Sequence, residues 1–188
     1  YSSFYGSGFK DCIVISLDGN GDGVSGRVYK VKNGILTLDK TFDTDESLGN
    51  FYTSCTNYLG FKSVEGEYKV MGLAAYANNN TEIKKEYLDF CEKDESIVME
   101  KCIYSPETVT SIYEPTYNHE ALKEFSQIGP RGSGCEIEQK HFEFASKVQR
   151  TFEETYIKII EYYANKHDTN NIALSGGCTL NVLANHKL

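Results

Sequence analysis

The apolar positions of this chain change their period several times, and each change marks an element. Residues 12 to 17, CIVISL, form a short apolar, β-branched run bounded by polar residues and glycine, the pattern of a buried strand. From 26 to 42, GRVYKVKNGILTLDKTF alternates around Asn33-Gly34. That dipeptide suits the two positive-φ positions of a type I′ turn, so a hairpin is expected there. The first 42 residues then read as a three-stranded meander with the Asp18 loop at its first corner. Asp43 to Ser47 supply helix-starting residues, and Leu48, Phe51, Cys55, Tyr58 and Leu59 follow at spacings of three or four, which gives a helix one buried face. A glycine-marked turn leads into GEYKVMGLAAYA.

From 78 to 139 the periodicity fades into charged stretches that hold all three prolines, Pro106, Pro115 and Pro130, and a flexible-looking RGSG at 131 to 134. This segment is expected to be an insertion or lid with helical pieces such as EIKKEYLDFCEK. Residues 139 to 167 predict a long amphipathic helix with Phe142, Ala145, Val148, Phe152, Tyr156, Ile159, Ile160 and Tyr163 on one stripe. NIAL, 171 to 174, predicts a strand ending in SGG, and CTLNVLANHKL starts another helix. No internal repeat is visible.

Composition narrows the function classes. With 188 residues, 40% of them hydrophobic, the chain is long enough for one sizeable core. A net charge of −8 leaves no basic stripe for a phosphate backbone, so no nucleic-acid partner is expected, whereas a nucleotide can still be held by backbone amides and a metal ion. Six well-separated cysteines without metal-ligand spacing read as the reduced thiols of a cytoplasmic protein, with Cys12 and Cys55 in the core. The Asn79 to Thr81 sequon reads as a chance match. No signal peptide and no apolar run near 18 residues is found, so no membrane span is expected. The opening YSSFYGSGF lacks an initiator Met and the chain stops at NHKL inside a growing helix, so both ends are expected to be cuts through a larger protein.

Two short stretches carry candidate chemistry. LDGNGDG, 17 to 23, begins as an EF-hand loop does, but its twelfth position from Asp18 is Tyr29 where calcium would need a glutamate. A carboxylate at a strand end followed by Gly19, Gly21 and Gly23 also suits a divalent ion beside nucleotide phosphates, and it equally suits a plain hairpin corner. In LSGGCTLN, 174 to 181, Gly176 and Gly177 let a ligand approach the backbone, and Asn181 offers both a donor and an acceptor to a ribose or base edge. A tight strand-to-helix turn explains the same residues. No Cys-His or Ser-His pairing suggests a protein nucleophile.

The meander with its acidic corner, the long helix and the strand ending in Gly-Gly resemble half of the α/β actin, sugar-kinase and chaperone-ATPase superfold. More closely, SLGNFYTSCTNYLGF, GEYKVMGLAAYA, the helix containing FASKVQRTFEE, and LSGGCTLNVLAN are similar to the NodU/CmcH-type carbamoyltransferases. The resemblance implies transfer of a carbamoyl group from carbamoyl-adenylate, made in a separate domain from ATP and carbamoyl phosphate, to a small-molecule hydroxyl or amine acceptor. It implies Asp18 as a ligand of a divalent metal of iron or magnesium type, Gly19 and Asn20 on the phosphate side, and Gly66, Gly176, Gly177 and Asn181 against the adenosine. Lys69 would orient donor or acceptor by its charge, or sit in a surface ion pair. The family's H-x-x-x-H ligand pair is expected upstream of Ser2, and a further metal aspartate beyond Leu188. Residues 1–188 would then be most of the second subdomain, with the first subdomain and the adenylate-forming domain elsewhere, and would transfer nothing alone. The rival reading is a non-catalytic nucleotide-binding or interaction module of the same fold.

Overall fold

The computed structural model describes residues 2–78, 83–104 and 117–188. The Asn79 to Thr81 sequon, Glu82 of the expected helical piece, Pro106 and Pro115 lie outside the described residues. A four-stranded sheet in the order β3-β2-β1-β6 organises the rest, formed by β1 (Cys12–Gly21), β2 (Val24–Lys32), β3 (Ile35–Asp43) and β6 (Ile172–Ser175). The first three strands are the antiparallel meander, and β6 pairs parallel to β1 from Ile13↔Ile172 to Ser16↔Ser175. The fold is therefore mixed α/β.

The apolar run of β1 has a two-sided explanation. Ile13, Ile15 and Leu17 face a large core shared with the helices, while Cys12 and Val14 face a smaller one with Phe4, Val31 and Ala173. Successive strand residues point to opposite faces, so a strand buried on both loses its polar alternation. Phe4 comes from α1 (Ser2–Ser7), which covers the second face.

Both hairpins turn where the backbone is left-handed. Asn33 and Gly34 have φ of 52° and 77°, as the type I′ reading requires. The first corner, however, is not at Asp18. Strand β1 continues to Gly21, pairing resumes at Gly21↔Val24 after a break in register from Leu17, and the turn is Asp22-Gly23 with φ of 55° and 78°. Asp18, Gly19 and Asn20 thus sit in the irregular stretch of a strand, and the twelve-residue calcium loop does not exist as a loop.

On the large-core face, α2 (Leu48–Tyr58) starts at Ser47, whose Oγ accepts the Asn50 N–H, and buries the stripe expected for it together with Tyr52. The helix α3 (Glu67–Ala74) and the 28-residue α5 (Gln139–Lys166) pack beside it. Helix α5 buries Phe144 where Phe142 was expected; Phe142 is half-buried and rests on the Tyr76 ring. The described part of the stretch expected as a helical piece holds no helix and leads into β4 (Asp89–Cys91), which pairs with β5 (Ser96–Val98) beyond it. Its Phe90 packs on Phe42, Tyr162 and Tyr163, and a rigid aromatic anchor between sheet and α5 outweighs the helical propensity of its charged neighbours. With Ile103, Tyr104 and the Leu122 and Phe125 of α4 (His119–Ser126), the described parts of 78–139 belong to the main core. The RGSG stretch is anchored too, because buried Arg131 donates from Nε to Leu59 O at 2.6 Å. All six cysteines are unpaired, and Cys12 and Cys55 are buried as expected.

Tyr104 links this segment to the sheet end. Its buried hydroxyl accepts the Ser47 N–H at 2.8 Å and donates to Thr44 O at 3.2 Å. Tyr104→Phe is expected to destabilise the protein by about 1–3 kcal/mol, the cost of stranding a buried N–H, read as a lower urea midpoint with an unchanged m-value.

Candidate functional site

Beyond Ser16 and Ser175 the parallel pair β1/β6 ends, and its two chains diverge into Asp18-Gly19-Asn20 on one side and Gly176-Gly177 on the other. In open α/β sheets ligands collect outside the carboxyl ends of the strands, and here that region is a cavity of ≈ 460 Å³. Its polar wall holds Asp18, Gly19, Asn20, Gly49, Asn50 and Gly177. Its apolar wall is built from Tyr52, Phe152, Met71, Val64, Tyr68 and Leu180. The last of these is 77% exposed and forms the open rim with Val64 and Tyr68.

Close backbone approach shapes the polar wall. A Cβ on Gly49, in the first turn of α2, would lie 2.5 Å from Gly19 N and 2.7 Å from Asp18 C, so helix and strand touch backbone to backbone. Ser47 Oγ, just before that turn, donates toward the carbonyl oxygens of Asp18 and Gly19 and holds the strand end in place. Across the cavity mouth, a Cβ on Gly177 would stand 2.9 Å from Asp18 Oδ1. The exposed Asp18 carboxylate, which accepts the Gly19 N–H at 2.8 Å, therefore faces bare backbone.

Asn181, on the cavity wall, pairs its carboxamide reciprocally with that of Gln149 behind it, Gln149 Nε2 to Asn181 Oδ1 at 2.8 Å and Asn181 Nδ2 to Gln149 Oε1 at 3.0 Å. Asn181 Oδ1 also caps the short helix α6 (Val182–Asn185) by accepting the Ala184 N–H, and the Tyr52 hydroxyl donates to Gln149 Oε1 at 2.7 Å. The single helix expected after SGG is thus a 3₁₀ turn, Gly177–Leu180, followed by α6. Gln149 Nε2 reaches Glu153 as well, whose other oxygen takes Lys187 Nζ at 2.6 Å. Burial, and then the charge of Asp18, push the Cys178 thiol up, so it stays protonated on the wall.

Of the residues expected at a site, Asp18, Gly19, Asn20, Gly177 and Asn181 come together here. Gly176 lies just behind, at φ 92°, where a Cβ would collide with Leu17 O. Gly66 is buried against Lys62 O, Phe61 and Thr56, a packing position off the cavity wall. Lys69 is exposed, its ammonium 5.7 Å from the ring centroids of both Phe61 and Tyr68. Ser47, Gly49, Asn50, Tyr52 and Gln149 were not singled out by the sequence as site residues. The nearest signal was a glycine inside the first turn of an otherwise regular helix, where it costs stability unless something must come close.

Among the described residues no group of three or more His, Cys, Asp or Glu is placed to hold a metal ion. Asp18 offers one carboxylate, so these residues do not form a metal centre by themselves. No helix among the described residues is long and apolar enough to cross a membrane.

The family described as "Carbamoyltransferase N-terminus" matches residues 1–188. An uncharacterized protein of Methanocaldococcus jannaschii is 32% identical over 97% of this chain and 33% of its own length. The nodulation protein NolNO of Sinorhizobium fredii is 26% identical over 100% of the chain and 25% of its own length. Nodulation protein NolO of Bradyrhizobium diazoefficiens is 26% identical over 100% of the chain and 31% of its own length. The chain therefore spans a quarter to a third of these relatives.

Proposed function

We propose, from the premise that this chain belongs to the carbamoyltransferase N-terminus family, that its cavity holds carbamoyl-adenylate for transfer of the carbamoyl group to a hydroxyl or amine acceptor. The observation that carries the reading is the meeting of Asp18 with the bare backbone of Gly177 at the carboxyl ends of β1 and β6, above a wall that is polar on one side and apolar on the other. The backbone at Gly19, which carries no side chain, leaves room for the phosphate and acyl end of the donor, and the apolar wall suits a flat ring. Transfer from a mixed anhydride needs no protein nucleophile. It needs the acceptor and donor held in line and fixed dipoles facing the charge that develops on the departing AMP.

Asp18 is the one ligand we assign from this chain to a divalent ion of iron or magnesium type, the remaining ligands coming from elsewhere in the polypeptide. The reading extends to an actin-like superfold in which residues 1–188 are most of the second subdomain. ATP and carbamoyl phosphate would be handled by the adenylate-forming domain, in the cytoplasm.

Gly177→Val in the full-length protein tests the cavity. Gly177 does not have a left-handed φ, so valine fits the backbone, but its Cβ pushes the Asp18 carboxylate aside and its branched side chain enters the ligand's approach. Affinity for AMP, measured by isothermal titration, is expected to fall about 10- to 100-fold, the effect of 1–3 kcal/mol of forced overlap. Unchanged affinity in a folded Gly177→Val protein would remove the ligand from this end of the sheet. AMP binding without any carbamoyl transfer by the unsubstituted protein would favour a nucleotide-binding module.

A further inference from the structure

Four buried side-chain polar atoms lack a partner among the described residues: Ser3 Oγ, Asn50 Nδ2, Ser54 Oγ and Thr151 Oγ1. Only Asn50 among these residues lines the cavity. The residue is 6% exposed and stands in the first turn of α2, four residues before Ser54 on the same face of the helix. The Asn50 backbone N–H is already taken by Ser47 Oγ at 3.0 Å. Its side-chain oxygen lies beside Gly19, 3.2 Å from where a Cβ of that glycine would be. The carboxamide is thus wedged between the helix start and the strand end with its donor unused.

An unused buried donor costs stability, typically about 1–3 kcal/mol, and proteins rarely keep one without a use. The surroundings say what would satisfy it. Asn50 is at the positive end of an 11-residue helix, whose first-turn amides precede the helix's own hydrogen-bond ladder. A donor at that end favours an oxygen acceptor that carries negative charge. Next to it lie the Gly19 and Asn20 backbone and the Gly49 turn, with no side chain between them and the cavity at either glycine.

We propose that Asn50 is a ligand-binding residue whose carboxamide turns on binding, so that Nδ2, covered and unpartnered in the free protein, donates to a phosphate oxygen of the bound adenylate. This rests on the reading of the cavity as a nucleotide site. The sign of the stability effect separates it from a structural role. A structural asparagine destabilises the fold when truncated. A donor kept for a ligand leaves the free protein no worse off when removed, because a buried polar group without a partner leaves with it.

The experiment compares the full-length parent with Asn50→Ala and the near-isosteric Asn50→Asp, titrated with AMP and with adenosine, each protein also melted without ligand. Asn50→Ala should keep or raise the melting temperature and lose affinity for AMP about 10- to 100-fold, the value of a hydrogen bond to a charged group. Adenosine affinity should be unchanged in both variants. Asn50→Asp should weaken AMP at least as much, by replacing the donor with a like charge. A lowered melting temperature or failure to fold in Asn50→Ala, with AMP affinity unaffected in Asn50→Asp, overturns the assignment. Equal losses of AMP and adenosine overturn it as well, since the donor would then not read the phosphate. A parent that binds neither probe overturns the nucleotide reading of the cavity and this inference with it, whereas a parent that binds both with no loss in either variant overturns Asn50 alone.

Discussion

Asp18→Asn in the full-length protein is expected to lower carbamoyl transfer on the order of 100-fold or more, while Asp22→Asn leaves it unchanged. The two carboxylates belong to one seven-residue stretch, and only a calcium loop would use them interchangeably; the chain treats them differently. Asp18 is on the cavity wall against Gly177. Asp22 is the first residue of the Asp22-Gly23 turn, at φ 55°, where asparagine is at least as comfortable as aspartate. Asparagine at 18 keeps the shape and the oxygen that accepts the Gly19 N–H, so only the charge is lost. An amide is a poor ligand for a hard divalent cation, which is why the loss should fall on turnover. Affinity for AMP measured without the divalent ion should hold or rise, because a negative charge has left the neighbourhood of the phosphate. Transfer from ATP and carbamoyl phosphate and AMP titration, run on both variants, check the split. Two silent substitutions, or two equally damaging ones, would sink the distinct role of Asp18.

Gly49→Val is expected to be the most damaging change to the fold. The new Cβ would meet Gly19 N, Gly19 Cα and Asp18 C, all backbone atoms of a strand end whose carbonyls Ser47 Oγ holds, and none of them is the movable end of a side chain. The collision forces α2 off the sheet, and α2 carries Phe51, Tyr52, Cys55 and Tyr58 of the main core. A cost of at least about 3 kcal/mol, the upper end of ordinary overpacking, lowers the melting temperature of a domain this size by roughly 6–12 °C. Gly49→Ala should already cost a large part of that, since the Cβ itself is what collides. A melting curve of Gly49→Ala superimposed on the parent's would refute the wedge.

Much of the fold was legible because its signals are local. Alternation, the Asn33-Gly34 turn and the Ser47 cap each act within a few residues, and the β2-β3 hairpin, α2 and the start of β1 lie where those signals place them. The β4-β5 hairpin was not legible, since Phe90 is held by Phe42 and Tyr162, partners far away in the sequence. The stripe on α5 was partly misread because that helix meets neighbours on more than one side, burying polar Gln149, Thr151 and Thr155 along with its apolar residues. The cavity shows the same division. Its members at strand ends, Asp18 and Gly177, stand out as punctuation after apolar runs. Asn50 and Tyr52 look like ordinary helix residues until the helices are set against the sheet.

The parallel pairing of β1 with β6 also sets an order of assembly during protein synthesis. Asp11 and Asn171, which join the two strands at their start, are 160 residues apart. At a typical elongation rate of 5–20 residues per second, about 8–30 s separate the emergence of Asp18 from that of Gly177. The antiparallel meander can close on itself in that interval, but the other edge of β1 stays unpaired, an apolar strand edge open to any neighbouring nascent chain. The half of the cavity that carries the carboxylate therefore emerges well before the half that faces it, and until β6 arrives the β1 edge is a part of the newborn protein that needs shielding.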